Sequence, residues 1–107
     1  MSGIGALAVT ADVDNRLHAA WCARMDGGGV PIVTTTNGSS DPIVWAVGAE
    51  GDDRLHGFRG DTGEEMYTGG GTGDYITGLR HFATILVAAG RFYIAGGGRI
   101  LAFQLPQ

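Results

Sequence analysis

The placement of glycine constrains this chain more than any other feature. Twenty of its 107 residues are glycine, and they fall in clusters between short apolar runs. No G-X-Y period links them, so a collagen-like triple helix is excluded. Glycine inside a helix costs about 1 kcal/mol relative to alanine, whereas at a turn it supplies the positive φ that other residues avoid. A chain punctuated in this way is expected to form many short strands joined by tight turns. No helix longer than about two turns is expected.

The runs between turn signals are Ile4 to Thr10, Leu17 to Ala23, Pro31 to Thr36, Ile43 to Ala49, Leu55 to Phe58 and Glu65 to Thr68, followed by Phe82 to Ala89, Phe92 to Ala95 and Ile100 to Leu105. Asp12-Val13-Asp14-Asn15 connects the first two runs as a hairpin, and Asn37-Gly38-Ser39-Ser40 turns the next pair. One stretch is ambiguous by spacing: Leu79, Phe82, Leu86 and Ala89 lie near helical intervals, with Gly90 in the position of a helix cap. Ile43 to Val47 and Thr84 to Ala88 are nearly continuous apolar runs. A strand with one wet face alternates, so these two predict cover on both faces. The connections are too short for crossover helices, and small antiparallel sheets stacked face on face meet the same demand.

An internal repeat decides between these readings. Val44-Trp45-Ala46-Val47-Gly48, a turn, and Leu55-His56-Gly57-Phe58 match Phe92-Tyr93-Ile94-Ala95-Gly96, a turn, and Ile100-Leu101-Ala102-Phe103. Phe58 and Phe103 stand 45 positions apart, a period suited to one propeller blade. Over residues 30 to 105 the chain resembles the β-propeller repeats of pyrroloquinoline-quinone (PQQ) dehydrogenases and their non-catalytic relatives. The family repeat has an aromatic strand, a second strand ending in Ala-Leu-Asp, an x-x-T-G turn and a docking tryptophan. This chain has Arg59 and Gln104 where the family has aspartate, and Tyr67 where it has the tryptophan; Trp21 resembles an outer-strand tryptophan of a preceding blade.

The expected fold is therefore all-β: antiparallel, four-stranded propeller-type blades, about two of them, in a single domain over residues 1–107. Residues 1–29 form an N-terminal hairpin, 30–70 a full blade, and 78–107 a partial blade of three strands. The alternative is an unrelated nine-strand sandwich or small barrel. Trp45, Phe58, Tyr93 and Phe103 are expected to be buried between blades. Because two blades leave two apolar faces and a strand edge uncovered, completion by a homo-oligomer is expected. Leu17 to Ala23 of one chain would pair beside Ile100 to Leu105 of another.

Net charge is −4, with no clustered Lys and Arg, so neither a nucleic-acid nor an anionic membrane surface is expected. No run is long enough to span a bilayer as a helix. The N-terminal residues lack the pattern of a secretory signal, although the family resemblance implies a periplasmic setting. Cys22 is the sole cysteine; it cannot form an intramolecular disulfide and reads as inert packing.

No catalytic, cofactor-binding or metal constellation emerges. Gly3-Ile4-Gly5-Ala6-Leu7-Ala8 matches a dinucleotide fingerprint only loosely and has no strand before it. Gly69-Gly70-Gly71-Thr72-Gly73 lacks the Lys-Ser/Thr pair that closes a phosphate loop and reads as a connector. Asp12 and Asp14 begin like a calcium loop, but Arg16 takes the next ligand position. His18 and His56 read as structural strand residues. The pairs Asp52-Asp53 and Glu64-Glu65 adjoin turns and read as solvated, without a tuning His or Arg. Arg80 and His81, at the end of the glycine-rich loop, are the candidate ligand contacts. In the resembling enzymes the quinone stacks on a tryptophan and, in one branch, on a disulfide between adjacent cysteines, which a single cysteine cannot supply. The leading expectation is thus a non-catalytic binding or assembly module. The alternatives are a C-terminal fragment of a PQQ-dependent dehydrogenase, inactive alone, and a stand-alone β-domain with a ligand in its glycine-rich loops.

Overall fold

The computed structural model describes residues 3–9, 17–80 and 83–104. The Asp12 to Arg16 turn, His81, Phe82 and the end of the last expected strand lie outside the described residues. Nine strands are present among those described: β1 (Gly3–Val9), β2 (Leu17–Arg24), β3 (Ile32–Thr36), β4 (Ser40–Val47), β5 (Leu55–Arg59), β6 (Glu65–Thr68), β7 (Ile85–Ala88), β8 (Arg91–Gly96) and β9 (Arg99–Phe103). The only helical element among them is one 3₁₀ turn, Thr72–Asp74. Within the ambiguous stretch, Ile85–Ala88 is strand β7, while Phe82 lies outside the described residues.

The strands form three antiparallel sheets, ordered β1-β2, β3-β4-β5-β6 and β7-β8-β9. Local chemistry sets the turns. Asn37 and Gly38 both have positive φ, 59° and 80°, and Ser39 N–H donates to the Thr36 carbonyl at 3.3 Å. That is the type I′ geometry which matches strand twist and favours Asn-Gly. Pro42 sits in β4 near its start, where Gly60 N–H donates to the Pro42 carbonyl at 2.7 Å, so the imide costs no donor in the middle of the ladder.

Each face of the four-stranded sheet is covered. Register places Ile32, Trp45 and Tyr67 in one row across Gly57, with Val47 and Leu55 in another row on the same side. These pack into a core with Ile76, Leu79, Ile85, Phe92, Ile94 and Phe103, which joins the four-stranded sheet to β7-β8-β9. The opposite side carries Val44, Ala46 and Phe58, packed against Trp21, Met25, Ile4, Ala6 and Ala23 of the hairpin and its exit. The continuous apolar run of β4 thus feeds two cores: alternate residues go to opposite sides, and both sides are dry. Sheets packed face to face in this way bury what an alternating strand would leave wet.

Backbone hydrogen bonds fix the sheets to one another. Gly28 N–H donates to Ala49 O at 3.0 Å and Asp52 N–H to Asp26 O at 3.0 Å, tying the hairpin exit to the β4–β5 loop. Ile76 N–H donates to Asp53 O at 2.9 Å, holding the approach to the third sheet against the same loop. At Gly27 an added Cβ would come within 2.5 Å of the Gly48 backbone; only glycine permits that approach.

The second continuous run departs from expectation. Ile85 is buried, but Leu86 and Val87 are 64% and 40% exposed. Tyr93, expected to be buried like Trp45, is only half-buried. Leu86 and Tyr93 share one cause: the side of the third sheet facing away from β3-β6 has no covering layer among the described residues, whereas Val87 lies in the row of Phe92 and Phe103 on the other side, in an edge strand.

Candidate functional site

Three groups of residues stand out: a histidine held between carboxylates, the glycine-rich loop, and the open face of the third sheet. On β5, His56 lies on the same side as Phe58, with their rings nearly parallel at 14° and centroids 6.2 Å apart. Its Nε2 is 2.6 Å from Asp52 Oδ2 and its Nδ1 is 2.7 Å from Glu65 Oε2. The imidazole is buried, while the two carboxylates are 27% and 34% exposed. Asp52 also accepts from Arg54 N–H through Oδ1 at 3.1 Å, which sets the carboxylate plane. Sequence reasoning missed this cluster and read both acidic pairs as having no histidine nearby. The structure corrects that reading. Both ring nitrogens thus lie at hydrogen-bond distance from carboxylates supplied by the β4–β5 loop and by β6. Among the described residues no group of three His, Cys, Asp or Glu side chains is placed to hold a metal ion. The cluster therefore ties the β4–β5 loop to β6.

The glycine-rich loop is likewise satisfied internally. Arg54 Nη1 donates to the carbonyls of Gly69 and Gly71 at 3.1 and 2.8 Å, and the guanidinium lies 5.7 Å from the centre of the Tyr75 ring. Gly71 N–H donates to Asp74 Oδ2 at 2.8 Å. A carboxylate of the chain itself thus takes the donor that an anion would need. Arg80 is mostly exposed, with Nη1 3.6 Å from Glu50 Oε1; its expected companion His81 lies outside the described residues. Cys22, read from sequence as packing, is exposed instead. Strand alternation sends Trp21 inward and its neighbour outward, opposite Gly5.

Exposed Arg59 and Asp61 form a two-contact pair, Nε–Oδ1 3.1 Å and Nη2–Oδ2 3.0 Å. The guanidinium holds the Asp61 carboxyl below the usual carboxylate range, and Asp61 in turn raises Arg59. An open cleft of about 220 Å³ adjoins the pair, lined by Asp41, Pro42, Ile43, Arg59, Asp61 and Met66. Its two opposite charges already satisfy each other, and a solvent-screened surface pair of this kind contributes little.

Apart from Asp53 Oδ1, a buried oxygen without a hydrogen-bond partner, what stands uncovered is apolar. Register puts Leu86, Tyr93 and Ala102 in one row, Ala95 and Ile100 in the next, and Ala88 with Arg91 beyond, all on the outward side of β7-β8-β9. Leu86 is 64% and Ile100 76% exposed. Such a contiguous apolar sheet face is the kind of surface that marks an interaction site. The repeat supplies its counterpart within the chain. Trp45, in the position that matches Tyr93, is buried against Phe92 of the next sheet with ring centroids 4.5 Å apart. Tyr93 has the same place in its own sheet and nothing packed over it among the described residues.

Compared with models of known protein families, with curated proteins and with solved structures, the chain matches none.

Proposed function

We propose that this chain is a non-catalytic binding or assembly module of propeller-type blades, related to the quinoprotein repeats it resembles, and that it works as a homo-oligomer. The observation that carries the reading is the contrast between Trp45, covered by Phe92, and Tyr93, at the same repeat position on an open apolar face. The polar groups a catalyst would use are committed elsewhere: His56 to Asp52 and Glu65, and Arg54 to the glycine-loop carbonyls. Two surfaces are open to a partner. One is the Leu86–Tyr93–Ile100 face; the other is the outer edge of β9, which pairs on one side with β8 and on the other with no described strand. An unpaired edge invites strand addition from a second chain.

Sedimentation or light scattering at micromolar concentration tests the proposal. A species larger than the 11.1 kDa chain is expected; a clean monomer overturns the assembly reading. Dye reduction after addition of PQQ and calcium would replace the non-catalytic reading with that of a dehydrogenase fragment.

A further inference from the structure

His56 is buried with a carboxyl group against each ring nitrogen, Asp52 at 2.6 Å on Nε2 and Glu65 at 2.7 Å on Nδ1. Contacts this short are hydrogen bonds, and each needs a proton between nitrogen and oxygen. A neutral imidazole carries one N–H and an ionised carboxylate carries none. Taken apart at neutral pH, the three side chains therefore bring one proton to two contacts. The remaining contact would set a nitrogen lone pair against a carboxylate lone pair. Closing both contacts takes a second proton, on the ring or on one of the acids. In a trio coupled at these distances that proton belongs to the group, not to one residue.

The elements around the trio leave that demand in place. Arg54 N–H donates to Asp52 Oδ1 at 3.1 Å, not to the oxygen that meets the ring, and the Arg54 guanidinium is engaged with the Gly69 and Gly71 carbonyls. The loop adds Asp53, β6 is preceded by Glu64, and the hairpin contributes Arg24 with Asp26 just beyond it, while β4 places uncharged Ala46 opposite His56. What the trio secures is a junction. The β4–β5 loop holds the hairpin exit through Asp52 N–H to Asp26 O and Gly28 N–H to Ala49 O, each at 3.0 Å. It holds the approach to the third sheet through Ile76 N–H to Asp53 O at 2.9 Å.

We propose that Asp52, His56 and Glu65 form a proton-operated latch: closed, the trio holds one proton more than its separated side chains, and release of that proton loosens the loop on which the three sheets meet. The latch acts within one chain and stands apart from the assembly reading. Its sign follows from linkage. Below the ordinary imidazole range, about pH 6.5, the unfolded histidine is protonated as well, and the stabilisation is complete. Above it the closed trio binds the extra proton and the unfolded chain does not, so the stabilisation falls with rising pH until the closed trio gives that proton up.

Asp52→Asn separates the proton from the packing. The amide oxygen keeps the bond from Arg54 N–H, and the amide NH2 takes the place of the oxygen that meets Nε2. It donates to a neutral ring whose other nitrogen donates to Glu65, so both contacts survive without the extra proton. Glu65→Gln does the same from the Nδ1 side and replaces Asp52→Asn if that variant does not fold. Denaturant unfolding in dilute solution is measured from about pH 6 to about pH 8.5. Relative to Asp52→Asn, the folding constant of the parent is expected to fall about tenfold per pH unit above about pH 6.5, the slope for one proton. Titrations common to both proteins, such as those of His18, His81 and Tyr67, cancel in the comparison. Parallel pH dependence in the two proteins would overturn the proposal. Amide exchange at Gly28, Asp52 and Ile76 locates the effect on the loop. Their protection factors are expected to drop by about tenfold or more across that range in the parent and to stay level in Asp52→Asn. An equal drop in both proteins, or no drop in the parent, would overturn the latch.

Discussion

Trp21 lies flat on Gly63. A Cβ at position 63 would come within 2.5 Å of the indole Cε3, while the indole N–H donates to the Gly60 carbonyl at 2.8 Å. The tryptophan of the hairpin thereby grips the β5–β6 turn of the next sheet from both sides, by contact and by hydrogen bond. The turn is prepared to receive it. Gly63 N–H donates to Arg59 O and Arg59 N–H to Glu64 O, each at 2.8 Å, and Gly63 has a φ of 79°.

Gly63→Ala is consequently expected to be costly for two reasons. The left-handed backbone costs a non-glycine residue about 1–2 kcal/mol, and the new methyl must displace the indole. Trp21→Phe keeps most of the apolar contact but loses the bond to Gly60, for an expected loss of about 1 kcal/mol. Denaturant unfolding measures both. Gly63→Ala is expected to cost more than Trp21→Phe; the reverse order would show that the ring does not rest on the turn.

Trp45 is the centre of the second contact. It is buried, lies over Gly57, and packs on Phe92 and Tyr67, while its indole N–H donates to Thr34 Oγ1 at 2.8 Å. Trp45→Ala is expected to cost about 3–5 kcal/mol. Tyr93→Ala, at the matching repeat position on the open face, is expected to cost well under half of that in the dilute chain. Unfolding midpoints at low concentration make the comparison. Equal losses at the two sites would mean that Tyr93 is covered within one chain.

The position of the strands was legible because glycine clusters punctuate them, and the double cover of β4 was legible because its apolar run does not alternate. The same rule misled at β7. Ile85-Leu86-Val87 reads as equally apolar, yet Leu86 is 64% exposed, since a run of side chains reports a demand for cover without saying whether the same chain supplies it. The burial of Trp21 and the exposure of Cys22 follow from alternation along Leu17–Arg24 and could have been read there; the apolar character of the whole run concealed it. The His56 cluster was beyond the sequence. Asp52 reaches His56 only through the β4–β5 loop, and Glu65 comes beside it only because the β5–β6 register shifts between Gly57 and Phe58. No spacing rule encodes that shift.

Replacing His56 tests what this cluster does. His56→Phe fills the volume but leaves Asp52 and Glu65 without their shared hydrogen-bonding partner. Both carboxylates keep some access to water, so the expected loss is about 1–3 kcal/mol, below the penalty for stranding fully buried charges. In an Asp52→Asn/Glu65→Gln background the same replacement is expected to cost less, because no charge is left stranded. A thermodynamic cycle over the four proteins gives the coupling. Additive losses would reduce His56 to a packing residue.

Alkaline pH probes the neighbouring side of the same sheet. Tyr67 lies against Trp45; burial first and the Asp74 charge second hold its phenol above the usual tyrosine range, with Arg54 opposing them. The folded chain therefore keeps the phenolic proton more tightly than the unfolded chain. The corresponding stabilisation is complete below the unfolded pKa of about 10 and is lost as pH rises through the folded value. Unfolding midpoints measured from about pH 8 to about pH 11 are expected to fall for the parent protein, and to fall less for Tyr67→Phe, which has no proton to lose there. A phenolate absorbance titration in the folded state should show one of the three tyrosines ionising later than the others, and Tyr67→Phe should remove that late step. If the late step persists in Tyr67→Phe, another tyrosine is the shielded one, and the packing of Tyr67 between Trp45 and the glycine-rich loop is wrong.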